Sequence, residues 1–170
     1  MKPSPPTASR QIGDGLDRAI REAAGEGRRP APATVDAETP KGRVSVSVED
    51  ADRLGVLAGP VNAKRADGGT GSVGAQAREL ARRVNYLQEP LAVVETEDRR
   101  GRAVVRSAAP RPAPDGGREY NEAVLTGGDS VTIRRYRAEP GARRKTVPSN
   151  LSREALGRLA DDLVDILAGD

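Results

Sequence analysis

The chain holds no cysteine, no histidine, no phenylalanine and no tryptophan among its 170 residues. Without cysteine there is no disulfide, no thiolate nucleophile and no Cys-ligated zinc or iron–sulfur site. Without histidine the one side chain that titrates unperturbed near neutral pH is gone, and Ser-His-Asp catalysis, Cys-His catalysis and His-ligated haem go with it. Carboxylate, lysine, tyrosine and magnesium chemistry are what remain for an enzyme. Aromatics amount to 2%, namely Tyr86, Tyr120 and Tyr136, so any core must be built from Val, Leu, Ile and Ala. No apolar run approaches the length of a membrane span, and the opening MKPSPPTASRQ has no apolar signal core. A cytoplasmic location is the expectation.

Charge is abundant but nearly balanced, with a formal net of +3. Lysine is confined to Lys2, Lys41, Lys64 and Lys145, and arginine supplies the rest of the positive charge. An Arg-, Ala-, Gly- and Pro-rich composition of this kind accompanies a GC-rich bacterial-like genome, so arginine abundance alone does not specify a nucleic-acid partner. Residues 1–42 read as a flexible, disordered tail, because KPSPP and GEGRRPAPATVDAETPKG offer little to bury. Within it, residues 9–24 can form a helical arm with Ile12, Leu16 and Ile20 on one stripe, weakened by Gly13 and Gly15. Residues 43–170 read as a single domain.

Strict alternation in RVSVSVED puts Val44, Val46 and Val48 on one side of a half-buried strand over 43–49. A short helix over 50–57 and a polar loop over 61–71 are expected next. Residues 73–88 carry a helical stripe of Val73, Ala77, Leu80, Val84 and Leu87, ended by Pro90. Two hairpins follow, one with strands near 91–97 and 102–108, the other in REYNEAVLTGGDSVTIRRYR. A two-residue Gly128-Asp129 turn would set Val124 opposite Ile133, Glu122 opposite Arg135 and Tyr120 opposite Arg137. The final helix, 152–168, has Ser152 as its cap, Leu151 and Leu156 as a hydrophobic staple and Gly169 as its stop. Glu154, Arg158, Asp161, Asp162 and Asp165 fall on its wet face, which makes the aspartates solvating groups and not magnesium ligands. Hairpins without βα alternation predict an α+β domain: an antiparallel sheet of about five strands, with helices 73–88 and 152–168 packed on one face.

Two patterns carry functional interest. Gly69, Gly71 and Gly74 stand at G-x-G-x-x-G spacing with Ser72 as a helix cap, and Glu95, Glu97 and Asp98 follow at the distance of a ribose-binding carboxylate. A dinucleotide cradle also needs a buried apolar strand leading into the first glycine, and VNAKRAD is polar. A nucleotide- or phosphate-dependent enzyme using loop 68–74 is therefore the weakest reading, and neither cofactor nor metal is expected.

The second pattern is basic. Arg134, Arg135, Tyr136, Arg137, Arg143, Arg144 and Lys145 run together, and Arg99, Arg100, Arg102 and Arg106 form another cluster on the neighbouring hairpin. Merged on one sheet face, they would suit a nucleic acid or other polyanion, with Tyr136 free to stack. The leading expectation is a small non-enzymatic interaction or adaptor module with a protein partner. It follows from the catalytic poverty, from a docking arm carrying Ile12, Leu16 and Ile20, and from Arg82 and Tyr86 as a second contact patch.

Overall fold

The alternating valines at 44–48 lie in the strand next to one end of a single large sheet. The computed structural model describes residues 4–29, 32–69 and 71–170. Its elements run α1 (Ala8–Gly25), β1 (Ala33–Glu38), β2 (Gly42–Ala51), β3 (Gly55–Arg65), α2 (Val73–Arg83), β4 (Leu91–Glu97), β5 (Arg102–Ser107), β6 (Arg111–Pro112), β7 (Arg118–Thr126), β8 (Ser130–Ala138), β9 (Lys145–Val147), β10 (Ser149–Ser152) and α3 (Arg153–Ala168).

All strand pairs are antiparallel, in the spatial order β1-β2-β3-β8-β7-β5-β4. β3 and β8 pair only from Val61↔Ile133 to Lys64↔Ser130. Beyond that stretch, β9 bonds to β8 and β10 bonds to β3, with only Pro148 between β9 and β10. The α+β class stands, but the sheet has ten strands where about five were expected.

One face of this sheet is covered by helices. α1 packs on β1, α3 on β2 and β3, and α2 on β4 and β5, while α3 touches both other helices. The shared core contains Ile12 and Leu16 of α1, Leu80 of α2, and Leu156, Leu159, Leu163 and Leu167 of α3, set on Val44, Val46, Val61, Val105, Leu125 and Val131. Each helix starts at a hydroxyl cap that accepts a backbone N–H: Thr7 from Arg10, Ser72 from Ala75 and Ser152 from Ala155. α3 ends where Gly169 turns left-handed at φ 85°.

Several expectations need correction. Residues 8–29 and 32–42 are not a tail: α1 and β1 belong to the domain, while residues 1–3 and 30–31 of the expected tail lie outside the described residues. Gly15 has a packing reason, because a Cβ there would sit 2.4 Å from Val35 Cγ1. The helix expected over 50–57 is a β2–β3 hairpin, and β3 runs to Arg65 through the expected loop, with Val61 and Ala63 buried. α2 ends at Arg83, and Val84 and Leu87 are buried from the irregular segment that follows.

The β7–β8 register is displaced by one residue. Ala123, not Val124, faces Ile133; Asn121 faces Arg135, Glu122 faces Arg134, and Tyr120 faces Tyr136. The connection has three residues, with Gly127 and Gly128 both at positive φ. Tertiary contact fixes it: a Cβ on Gly128 would meet the Gly71 carbonyl oxygen at 2.2 Å, and the Gln76 side chain donates to the Gly128 carbonyl at 2.8 Å. Docking against the start of α2 decides the turn over its local two-residue preference.

Candidate functional site

Among the described residues of the glycine motif, which exclude Thr70, the backbone N–H groups at Gly69, Gly71 and Gly74 are taken up by the chain itself. β3, the strand before it, is antiparallel to both main neighbours and ends at Arg65. Gly69 N–H donates to Asp67 Oδ1 at 2.9 Å, and Gly71 N–H donates to the Gly128 carbonyl at 3.2 Å. At the α2 N-terminus, Ser72 takes the Ala75 N–H and Asp98 Oδ1 takes the Gly74 N–H at 3.1 Å. A carboxylate of the chain itself thus occupies the place an anion would seek. Its neighbours are also engaged, Glu95 with Arg102 and Glu97 with Arg100, each at 3.1 Å.

The two arginine clusters do not merge into one free surface. Successive strand residues point to opposite faces, so Arg135 lies on the helix-covered side while Arg134 and Tyr136 face the other way. Arg135 is buried and makes a two-pronged ion pair with Glu89, 3.0 Å to each carboxylate oxygen, and a further contact to Glu119 at 3.3 Å. Asn121 Nδ2 and Ser107 Oγ also donate to Glu89 at 3.3 Å. Burial alone would loosen the Arg135 proton, but the bonds to Glu89 and Glu119 outweigh it and hold the charge more firmly than usual. Glu89 Oε2 accepts three bonds and Oε1 one, and this cluster clips the 84–90 segment to the sheet.

On the helix-free face, Glu122 accepts from Arg106 at 2.6 Å and from Arg144 at 2.9 Å. Burial pushes the Glu122 carboxyl upward, but the Arg144 and Arg106 bonds prevail and keep it below the ordinary carboxylate range. Arg144 also lies 3.9 Å from the Tyr136 ring centroid, and Arg106 lies 5.4 Å from that of Tyr120. The ring face expected to stack on a base is therefore covered by an arginine. Arg137 is tied to Asp115, Glu119 and Glu139. Arg99, Arg134, Arg143 and Lys145 carry no ion pair among the described residues.

The expected protein-contact residues also turn inward. Ile12 and Leu16 are in the core, and Ile20 is half-buried at its margin. Tyr86 donates to Asp162 Oδ2 at 2.8 Å beneath the Arg158 guanidinium, which ties the segment after α2 to α3. Arg82 is exposed and bonds to Glu79 at 2.5 Å. The aspartates of α3 are fasteners and not merely solvating groups. Asp161 accepts the Ser9 N–H, Asp162 and Asp165 take Arg83, and Asp165 takes Lys41 in the β1–β2 turn. No cluster of potential metal ligands occurs among the described residues, and no described helix is long and apolar enough to cross a membrane.

What stays open is the rim of the sheet. β1 and β4 end the strand order, so each has one unpaired edge. On β4, residues 92–96 are exposed, with Val93 at 37% and Val94 at 55%. On β1, the edge lies beside α1 and forms with it a groove of about 420 Å³. Neither strand edge was among the candidates read from sequence, although T-V-D-A-E at 34–38 alternates as clearly as the valines of β2. These features describe a one-sided antiparallel sheet with open ends. No protein-family model matches the chain, and no curated protein or solved structure matches it significantly.

Proposed function

We propose that this chain is a non-catalytic module that binds other polypeptides through the free edges of its sheet. The observation that carries this reading is the pair of unpaired end strands, β1 and β4, with two exposed valines on β4. An open edge presents a row of N–H and C=O groups that another strand can satisfy. Natural proteins commonly blunt such edges with lysine, proline or a covering segment. β4 carries a milder guard, the register shift between Val93 and Glu95 against β5, and its two exposed valines sit at that irregularity, whereas the pairing of β1 with β2 is unbroken.

Carboxylate partners on Arg100, Arg102, Arg106, Arg135, Arg137 and Arg144 weigh against the polyanion reading, which retains Arg99, Arg134, Arg143 and Lys145. Asp98 at the start of α2 weighs against the phosphate reading.

The test is photo-crosslinking in the source cell, with a benzophenone amino acid placed at Thr34 or Val94. The expected products are light-dependent polypeptide adducts at one or both positions. A mobility-shift titration with duplex and single-stranded nucleic acid is expected to show no retardation at low salt. Absence of adducts at both sites, together with binding that weakens steeply with salt, would replace this reading by the polyanion one.

A further inference from the structure

The groove beside β1 carries the reading further. Hydrogen-bond parity along β1 follows from two observations. Thr39 and Gly42 exchange backbone bonds at 2.9 and 3.2 Å across the β1–β2 turn, which directs Thr39, Ala37 and Val35 toward β2. The Gln11 side chain in α1 accepts the Glu38 N–H at 2.9 Å and donates to the Glu38 carbonyl at 2.6 Å, so Glu38 directs both groups outward. By the same alternation Asp36 and Thr34 point outward too, and among the described residues their N–H and C=O groups have no partner.

Gln11 thus plays the part of one residue of a missing strand. Its amide satisfies Glu38 and closes the edge there, leaving two consecutive outward-facing positions.

α1 roofs those positions. Gln11, Asp14, Gly15, Arg18, Ala19 and Glu22 form one helical stripe along the groove, opposite Ala33–Asp36. Four strand residues span about 13 Å and eleven helical steps about 16 Å, so the groove fits a segment of about four or five extended residues. A residue opposite Val35 would point toward Ala19, whose small side chain leaves room for an apolar group beside the Gly15–Val35 contact. Its two neighbours, opposite Thr34 and Asp36, would point to the exposed face. On that exposed face Asp36 and Glu38 stand against Arg43, which reaches them at 3.2 and 3.8 Å, whereas Asp14, Arg18 and Glu22 belong to α1 on the other side of the sheet.

We infer that this groove binds an extended segment of a partner protein as an added antiparallel strand, with a basic–apolar–basic pattern centred opposite Val35. The inference rests on the protein-binding reading above and names one of its sites and the chemistry that site selects.

The probe is the pentapeptide acetyl-Lys-Val-Lys-Val-Lys-amide, titrated into the ¹⁵N-labelled full chain and followed by NMR. Shifts are expected at Thr34, Val35, Asp36 and Ala19, with slower hydrogen exchange at the Thr34 and Asp36 amides. N-methylation of the two lysines flanking one valine removes the donors aimed at β1 and is expected to weaken binding by about tenfold or more. N-methylation of the valines, whose N–H groups point away, leaves it unchanged. The peptide with glutamate in place of lysine is expected to bind worse than the parent.

Thr34→Pro deletes an outward donor at an edge that tolerates proline, and Ala19→Arg fills the groove without touching β1; each is expected to abolish the shifts. The inference is overturned if Thr34 and Asp36 do not respond, if both methylated peptides bind alike, or if Ala19→Arg binds like the parent chain. Polypeptide adducts at Val94 with none at Thr34 would remove the groove and keep the protein-binding reading. No adduct at either position would remove both.

Discussion

Glu89→Gln removes one charge from the most deeply buried ion pair among the described residues and keeps its shape. The side chains of Arg135 and Glu89 are 3% and 6% exposed, so the arginine left behind cannot turn to water. Breaking a buried pair from one side costs about 3–5 kcal/mol, because an uncompensated charge stays in the interior. Glu119, 3.3 Å from Arg135 Nε and 30% exposed, offers partial compensation and places the expected loss near the lower end, about 3 kcal/mol. For a chain of this size that lowers Tm by about 6–12 °C. It is also a large share of the 5–15 kcal/mol that typical domains possess.

Urea unfolding followed by far-ultraviolet circular dichroism is the suitable assay, since the chain has no tryptophan. The double variant Glu89→Leu with Arg135→Met removes both charges and should be less destabilised than either of its single variants. Strict additivity of the two substitutions, or a Glu89→Gln loss under about 1 kcal/mol, would refute the view that this pair is a desolvated clip.

Other consequences can be checked by similar means. Gly128→Ala should destabilise by about 3 kcal/mol, combining left-handed strain with the clash against Gly71, whereas Gly116→Ala, at φ 86° in open space, should cost about 1 kcal/mol; chemical denaturation of both variants separates contact from conformation. Because the folded Glu122 carboxyl is held below its ordinary value of 4.5, its contribution is complete above that value and disappears as pH falls through the lowered folded pKa. The stability gap between the parent and Glu122→Gln should therefore be full at pH 7 and close in acid. Ser152→Ala should cost about 1 kcal/mol through the lost α3 cap, measurable as a shift in the urea midpoint.

The legible parts of the fold were those whose pattern is local. The α3 stripe, its Ser152 cap and Gly169 stop need nothing beyond their own neighbours, and neither does the alternation in β2. Tertiary context decided the rest. GGD at 127–129 permits a two- or three-residue turn; the Gly71 backbone and Gln76, some fifty residues earlier, select the longer one and shift every β7–β8 pair. Proline on both sides of ATVDAE hid β1, because loop composition masked a six-residue alternation. Arg134 and Arg135 illustrate the same difficulty. Adjacent in sequence and identical in type, they differ in fate by the parity of the strand: one stays at the surface and the other enters a buried pair with Glu89.

The candidate site was less legible for a deeper reason. Its binding groups are backbone N–H and C=O, which every residue but proline carries and which no motif announces. Whether they are available depends on strand order, since only an end strand has an unpaired edge, and strand order is the least local property of a sheet. Side chains contribute indirectly. Gly15 lets α1 settle against Val35, Ala19 keeps the groove open, and Gln11 closes the edge at Glu38 with the one side-chain group that imitates a peptide. That imitation gives the edge its meaning. A chain that needed β1 merely protected from aggregation has a ready residue for Glu38 in Gln11, yet α1 carries no counterpart that reaches Thr34 or Asp36. Selective closure of one position and exposure of the next two is the arrangement a strand-accepting groove requires.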